Sequence, residues 1–215
     1  MDIWATRAYF TGDLDWLTPA DQARAQAYRH DGARAQFVTG RALLRDVLER
    51  RGLDYTSVDL SREKPTHPDT FFNLSHVDGF VAIALASEDV GLDVETTHRG
   101  TDIDLVGKRQ YTPSELAWIA ASDDPRRAFF QLWTLKEAYL KLTGEGLRRN
   151  TKTFAFDLSQ SRFEPPLDRP KNVHFWRVSV DAFELAVAAA IPFELSFWLD
   201  GEPVFLEGQA LSASP

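Results

Sequence analysis

Apolar positions along the chain follow two rhythms, one recurring every third or fourth residue and one alternating or continuous over a few residues. The first rhythm signals amphipathic helices and covers about residues 34–51 and 125–142. Gly52 and Gly144 follow these stretches, as expected of C-terminal caps. On the second helix, Ala128, Leu132, Leu135, Tyr139 and Leu142 form a stripe that should face a core. The second rhythm gives short strand-like runs: "IWATRAYF" at the start, then "FFNLS", "FVAIALA" and "VGLDVE". Later come "VHFWRVSV", "FELAVAAA" and "FELSFWL", spaced like a meander with turns at Asp181 and Pro192.

A faint internal repeat organises these elements. Segments starting at Thr18 and Thr112 both open with Thr-Pro and carry an acid at the fourth position, Asp21 or Glu115. That pattern matches a helix N-cap, an N1 proline and a capping-box acid. Each segment then reaches an aspartate, an arginine and a phenylalanine at matching intervals: Asp31, Arg34, Phe37 and Asp124, Arg127, Phe130. The expected fold is α+β, a pseudo-dimer of two similar halves, each a small antiparallel sheet packed on a long helix. The subdomains are expected at residues 1–100 and 101–215.

Composition narrows the class. With 44% hydrophobic residues, six Trp and fifteen Phe, the chain reads as globular and well filled. It has no cysteine, which removes disulfides, thiolate catalysis and cysteine-ligated zinc. The start "MDIWATRAYF" lacks a signal-peptide pattern, and the apolar runs are too short to span a bilayer. The expectation is a soluble cytoplasmic protein with no membrane partner. A net charge of −8 argues against nucleic acid as a partner. Between positions 24 and 51, however, seven arginines stand against three acids, enough to hold a small polyanion or simply to solvate a helix face.

The candidate chemistry starts at "VGLDVETT", where Asp93 and Glu95 share one strand face and repel each other. On the second helix, Phe130, Thr134, Glu137 and Lys141 form another stripe. Glu137 and Lys141 would make an ordinary exposed i,i+4 ion pair. The helix is apolar almost all round, however, which favours a buried or cleft-lining carboxylate. A hard divalent cation held by Asp93, Glu95 and Glu137 would relieve the repulsion, and Mg²⁺ in that role brings a phosphate-bearing substrate with it. Ser75 and His76 in "NLSHVDGF" could reach an anion or serve a turn. Lys64 in "REKPTH" and Arg41 in "GRALLRDVL" read equally as surface charges.

Taken in order, "GRALLRDVL", "REKPTH", "FNLSH", "VGLDVE" and "WTLKEAYLKLTGEGL" resemble the 4′-phosphopantetheinyl transferases of the surfactin-synthetase-activating type. The matches run from about residue 24 to 147. The resemblance implies an active site in the cleft between two similar halves. It implies Mg²⁺-dependent transfer of the phosphopantetheine arm of coenzyme A to a serine of an acyl, peptidyl or polyketide carrier protein, releasing adenosine 3′,5′-bisphosphate. By motif match, Asp93, Glu95 and Glu137 would hold the metal. Ser75 and His76 would contact phosphates, Lys64 and Arg41 the nucleotide end, and Lys141 the α-phosphate. Arg34 is the best fit among the upstream basic residues for the adenine nucleotide. Glu115 matches the position of a general base, although Thr112 and Glu115 also make a capping box. A monomer is implied. Glu63 departs from the family, which often has glycine there, and past residue 150 the motifs stop.

Two other readings compete. Another Mg²⁺-dependent phosphotransferase is one, but the chain lacks a G-x-x-x-x-G-K-[ST] loop. A non-catalytic module that binds carrier proteins is the other; the joint presence of three carboxylates and Lys141 weighs against it.

Overall fold

The computed structural model describes residues 1–7, 9–60, 64–146, 149–168 and 172–213. The chain forms two compact units, Met1–Ser87 with Leu195–Phe205, and Glu88–Glu194 with Leu206–Pro215. No helix among the described residues is long and apolar enough to cross a membrane.

In the first unit, β1 (Asp2–Thr6) is followed by α1 (Pro19–Ala27), α2 (Asp31–Arg50), β2 (Phe71–Val77) and β3 (Phe80–Ala86). Two later strands, β9 (Ser196–Leu199) and β10 (Glu202–Val204), complete a sheet of order β10-β9-β1-β3-β2. Thr18 caps α1 by accepting from the Asp21 amide, and proline at the first helical position costs no hydrogen bond. Beyond α2, Gly52 takes a left-handed φ of 70° and the Leu53 amide returns to Leu48 O, a turn that favours glycine. The apolar stripe of α2, Leu44, Val47 and Leu48, packs with Trp4, Phe72 and Ile83 of the sheet.

The second unit runs β4 (Val90–Thr96), α3 (Ile103–Gln110), α4 (Pro113–Ala120), α5 (Pro125–Thr143), β5 (Ala155–Asp157), β6 (Arg162–Glu164), β7 (His174–Val180), β8 (Phe183–Ala189) and β11 (Gln209–Ala213). Its sheet order is β4-β8-β7-β11-β6-β5. Asp124 caps α5, and Gly144 at φ 70° ends it. Ala128, Leu132, Leu135 and Tyr139 are buried as the stripe predicts, in a core with Phe154, Phe163 and Phe175.

Three sheet expectations change. The strand "VGLDVE", expected within the first half, belongs to the second sheet; β4 pairs with β8, Asp93 opposite Ala186 and Glu95 opposite Glu184. The third strand of the supposed meander leaves it, because β9 runs parallel beside β1. Neither sheet is purely antiparallel, since β11 also pairs parallel with β6. The units therefore divide before β4, whereas subdomains of 1–100 and 101–215 would cut the chain after it.

Candidate active site

The second unit brings four of the candidate residues together. Asp93 and Glu95 lie two apart on β4, so both side chains leave the same face. That face lies against α5, and the approach is close: a Cβ on Gly91 would stand 1.9 Å from Ala138 O and 2.6 Å from the Leu142 amide. Only glycine permits this spacing. From the last turn of α5, Lys141 Nζ donates to Asp93 Oδ1 at 2.8 Å and to Leu92 O at 2.9 Å. Lys141 thus ties helix to strand, where the sequence also allowed a plain i,i+4 pair with Glu137.

Positive charge is short in this cluster. Arg99, in the turn after β4, donates to Glu95 Oε1 at 2.6 Å. Burial raises the Glu95 carboxyl, and the charge of Asp93 raises it further against Arg99 and Lys141. Glu137 is pushed up to about 7, first by burial and then by Asp93, with Lys141 opposing and Glu95 adding to the rise. Glu95 Oε2 is buried and has no hydrogen-bond partner among the described residues. No group of three or more His, Cys, Asp or Glu among the described residues is drawn close enough to hold a metal ion as it stands. The donor set nevertheless fits a hard cation: mutually repelling carboxylates with one buried oxygen unsatisfied.

Residues 89–190, spanning β4 through α5 to β8, match the family model described as the 4′-phosphopantetheinyl transferase superfamily. Sfp of Bacillus subtilis (strain 168), a 4′-phosphopantetheinyl transferase, is 28% identical over 193 residues, 83% of this chain and 84% of its own. Over this segment and across most of its length the chain is thus similar to 4′-phosphopantetheinyl transferases. Two further transferases are similar. HetI of Nostoc sp., also a 4′-phosphopantetheinyl transferase, is 32% identical over 146 residues, 62% of each chain. A phosphopantetheinyl transferase of Thraustochytrium sp. is 30% identical over 179 residues, 73% of this chain and 61% of its own.

The first unit carries the other candidates. Arg34 is exposed in the first turns of α2. Arg41, further along, is buried: its Nε donates to Asp21 Oδ1 at 3.1 Å and its guanidinium lies over the Phe37 ring at 4.9 Å. Ser75 is buried on β2, and the next residue, His76, is exposed with Nδ1 3.0 Å from Gln36 Oε1 of α2. Lys64 is half-buried, beside the bridge between Asp59 and Thr66. Its neighbour Glu63, and Leu147 of the "GEGL" motif, lie outside the described residues.

Glu115 stands apart from the cluster. It is fully buried, and its Oε2 accepts from the Thr112 amide at 2.8 Å and from Thr112 Oγ1 at 3.1 Å. Its Oε1 accepts from Phe156 N at 3.0 Å and pairs with Lys136 Nζ at 3.0 Å. A carboxylate with both oxygens engaged and no exposure cannot meet a substrate hydroxyl, so the geometry gives Glu115 to the capping box and the core. Sequence reasoning missed Arg99, Asp21 and Gly91. Of these only Gly91 carried a signal, a glycine inside a strand run that marks close backbone approach.

Proposed function

We propose that this chain transfers the 4′-phosphopantetheine group of coenzyme A to a serine hydroxyl of an acyl, peptidyl or polyketide carrier protein and works as a monomer. The observation that carries the reading is the charge-deficient set Asp93, Glu95 and Glu137, tied by Lys141 within the segment that matches the superfamily. These three carboxylates would hold Mg²⁺. The ion, when bound, supplies positive charge to the pyrophosphate oxygens.

The chain's own residues do the rest. Lys141 Nζ, partly exposed beside Asp93, donates to phosphoryl oxygens as negative charge builds on them. With Glu115 sealed in the core and Glu137 assigned to the metal, the serine proton passes in this reading to a base other than these two carboxylates. Arg34, Arg41, Lys64, Ser75 and His76 are assigned to the phosphates and nucleotide of coenzyme A. In support, among the described residues Arg41 donates Nε alone, to Asp21, and a guanidinium carries five donors.

The test is mass spectrometry of apo carrier proteins of fatty-acid, polyketide and nonribosomal-peptide type, mixed with the chain, coenzyme A and Mg²⁺. A gain of one phosphopantetheine group on the carrier serine is expected. No gain on any carrier would sink the transferase reading, and phosphate release without carrier modification would point to a phosphohydrolase.

A further inference from the structure

The two oxygens of Glu95 are treated differently, and the turn after β4 decides which is which. Oε1 accepts from Arg99 Nη1 at 2.6 Å. Oε2 is buried and has no hydrogen-bond partner among the described residues. An exposed ion pair ordinarily counts for little, and the Arg99 side chain is 55% exposed. Here, however, the Glu95 side chain is only 10% exposed, and the backbone that carries Arg99 is held from several sides. Arg99 N donates to Thr96 O at 3.2 Å, and Thr101 N donates to Arg99 O at 2.8 Å. Thr97 N and Oγ1 both donate to Ala182 O, in the turn between β7 and β8, at 2.9 and 3.2 Å. From the first turn of α5, Arg126 Nε donates to Thr97 O at 2.5 Å and Nη1 to Thr101 O at 3.4 Å. Residues 96–101 are thus tied to both sheet and helix, and they deliver a guanidinium to one oxygen of one carboxylate.

We propose that Arg99 is a positioning residue that restricts Glu95 to one-oxygen ligation, through Oε2, and thereby selects Mg²⁺ over Ca²⁺ at the acidic cluster. This rests on the metal reading given under the proposed function. Ca²⁺ gathers many oxygens at longer distances and often draws both oxygens of a single carboxylate. Mg²⁺ is smaller, keeps several waters and uses few carboxylate oxygens. A guanidinium on Oε1 withholds the second oxygen, a loss that falls on Ca²⁺ and leaves Mg²⁺ its single contact. Charge alone cannot do this sorting, because both ions carry the same charge and Arg99 opposes them alike. The partner of Oε1 can.

The deciding quantity is the ratio of Ca²⁺ to Mg²⁺ affinity, read on the whole chain by displacement of Mn²⁺ in electron paramagnetic resonance. Arg99→Met should shift that ratio about tenfold toward Ca²⁺, the size of effect expected when a metal ligand loses its partner. Arg99→Lys, which can still donate to Oε1, should stay within about twofold of wild type. Removing a positive charge raises both affinities together, and the ratio is blind to that change. In wild type, the Arg99 Nη protons should keep separate signals in nuclear magnetic resonance spectra at saturating Mg²⁺, because the bond to Oε1 persists. Their averaging on addition of Mg²⁺ overturns the proposal, since Arg99 would then be a competitor that the ion displaces. So does an unchanged ratio in an Arg99→Met chain that circular dichroism shows to be folded. If wild type binds none of the three ions, the metal reading falls and the selectivity with it. If the ratio shifts yet no apo carrier gains a phosphopantetheine group, the transferase reading fails while the role of Arg99 stands.

Discussion

Lys136 and Glu137 are neighbours on α5, yet they serve two acidic sites of opposite character. Lys136 Nζ spends its three donors on Thr151 O at 2.8 Å, Phe154 O at 3.0 Å and Glu115 Oε1 at 3.0 Å. Its partner Glu115 has both oxygens engaged in turn. Glu137 instead joins Asp93 and Glu95, where burial and like charge raise its pKa to about 7. A buried carboxylate fully supplied with donors holds the fold. Carboxylates left short of positive charge are a place where a cation and an anionic substrate can be received. The same helix turn builds both because successive helical residues point about 100° apart.

The contrast can be broken at either end. The largest effect should come from Lys136→Met, which leaves the Glu115 carboxylate buried without its cation. About 3–5 kcal/mol of unfolding free energy should vanish in urea titrations. A loss below 1 kcal/mol would mean that Glu115 sheds its charge at little cost. Next, Asp93→Asn should cut carrier modification on the order of 10²–10³-fold. It should also leave the metal-free protein at pH 8 no less stable than wild type, because a source of repulsion is gone. Near-normal turnover would remove Asp93 from the active site.

A third prediction concerns pH. The folded-state pKa of Glu137, about 7, stands above its ordinary 4.5. Between those values the folded chain binds this proton more tightly than the unfolded chain does. Its contribution to stability therefore declines as pH rises through the window and is flat above it. The upper bound is about 3 kcal/mol. Urea titrations in chelator at pH 5 and pH 8 should show that decline in wild type but not in Glu137→Gln, and Mg²⁺ should recover stability at pH 8. Equal pH slopes in the two proteins would separate Glu137 from the cluster. The smallest effect belongs to Glu115→Gln, which should cost about 1–3 kcal/mol of stability through its lost charge-assisted bonds. Turnover measured well below its melting temperature should hold within twofold; a hundredfold drop in a folded variant would restore Glu115 as a base.

Local signals made the helices legible. Periodicity and the glycines at positions 52 and 144 act within a few residues, and α2 and α5 end close to where they predict. Strand partners were not legible in the same way. "FELSFWL" reads as a strand wherever it pairs, and β9 finds β1 nearly the full length of the chain away. The pairing of Asp93 with Glu95 follows from alternation, and Glu137 and Lys141 follow from helical spacing. What set Glu115 apart was Lys136, which the sequence shows only as one more charged residue beside Glu137. Arg99 is four residues beyond Glu95 across a turn, where no periodicity links the two.

Gly91 has a consequence that reaches past its own contact. Because any side chain there would collide with the α5 backbone, the strand has one notch that accepts the helix. Sliding β4 by two positions would present Asp89 or Asp93 to that notch, and neither fits. The missing side chain therefore works as an indexing mark: it sets, to within a single residue, how far along the helix the acidic pair is delivered.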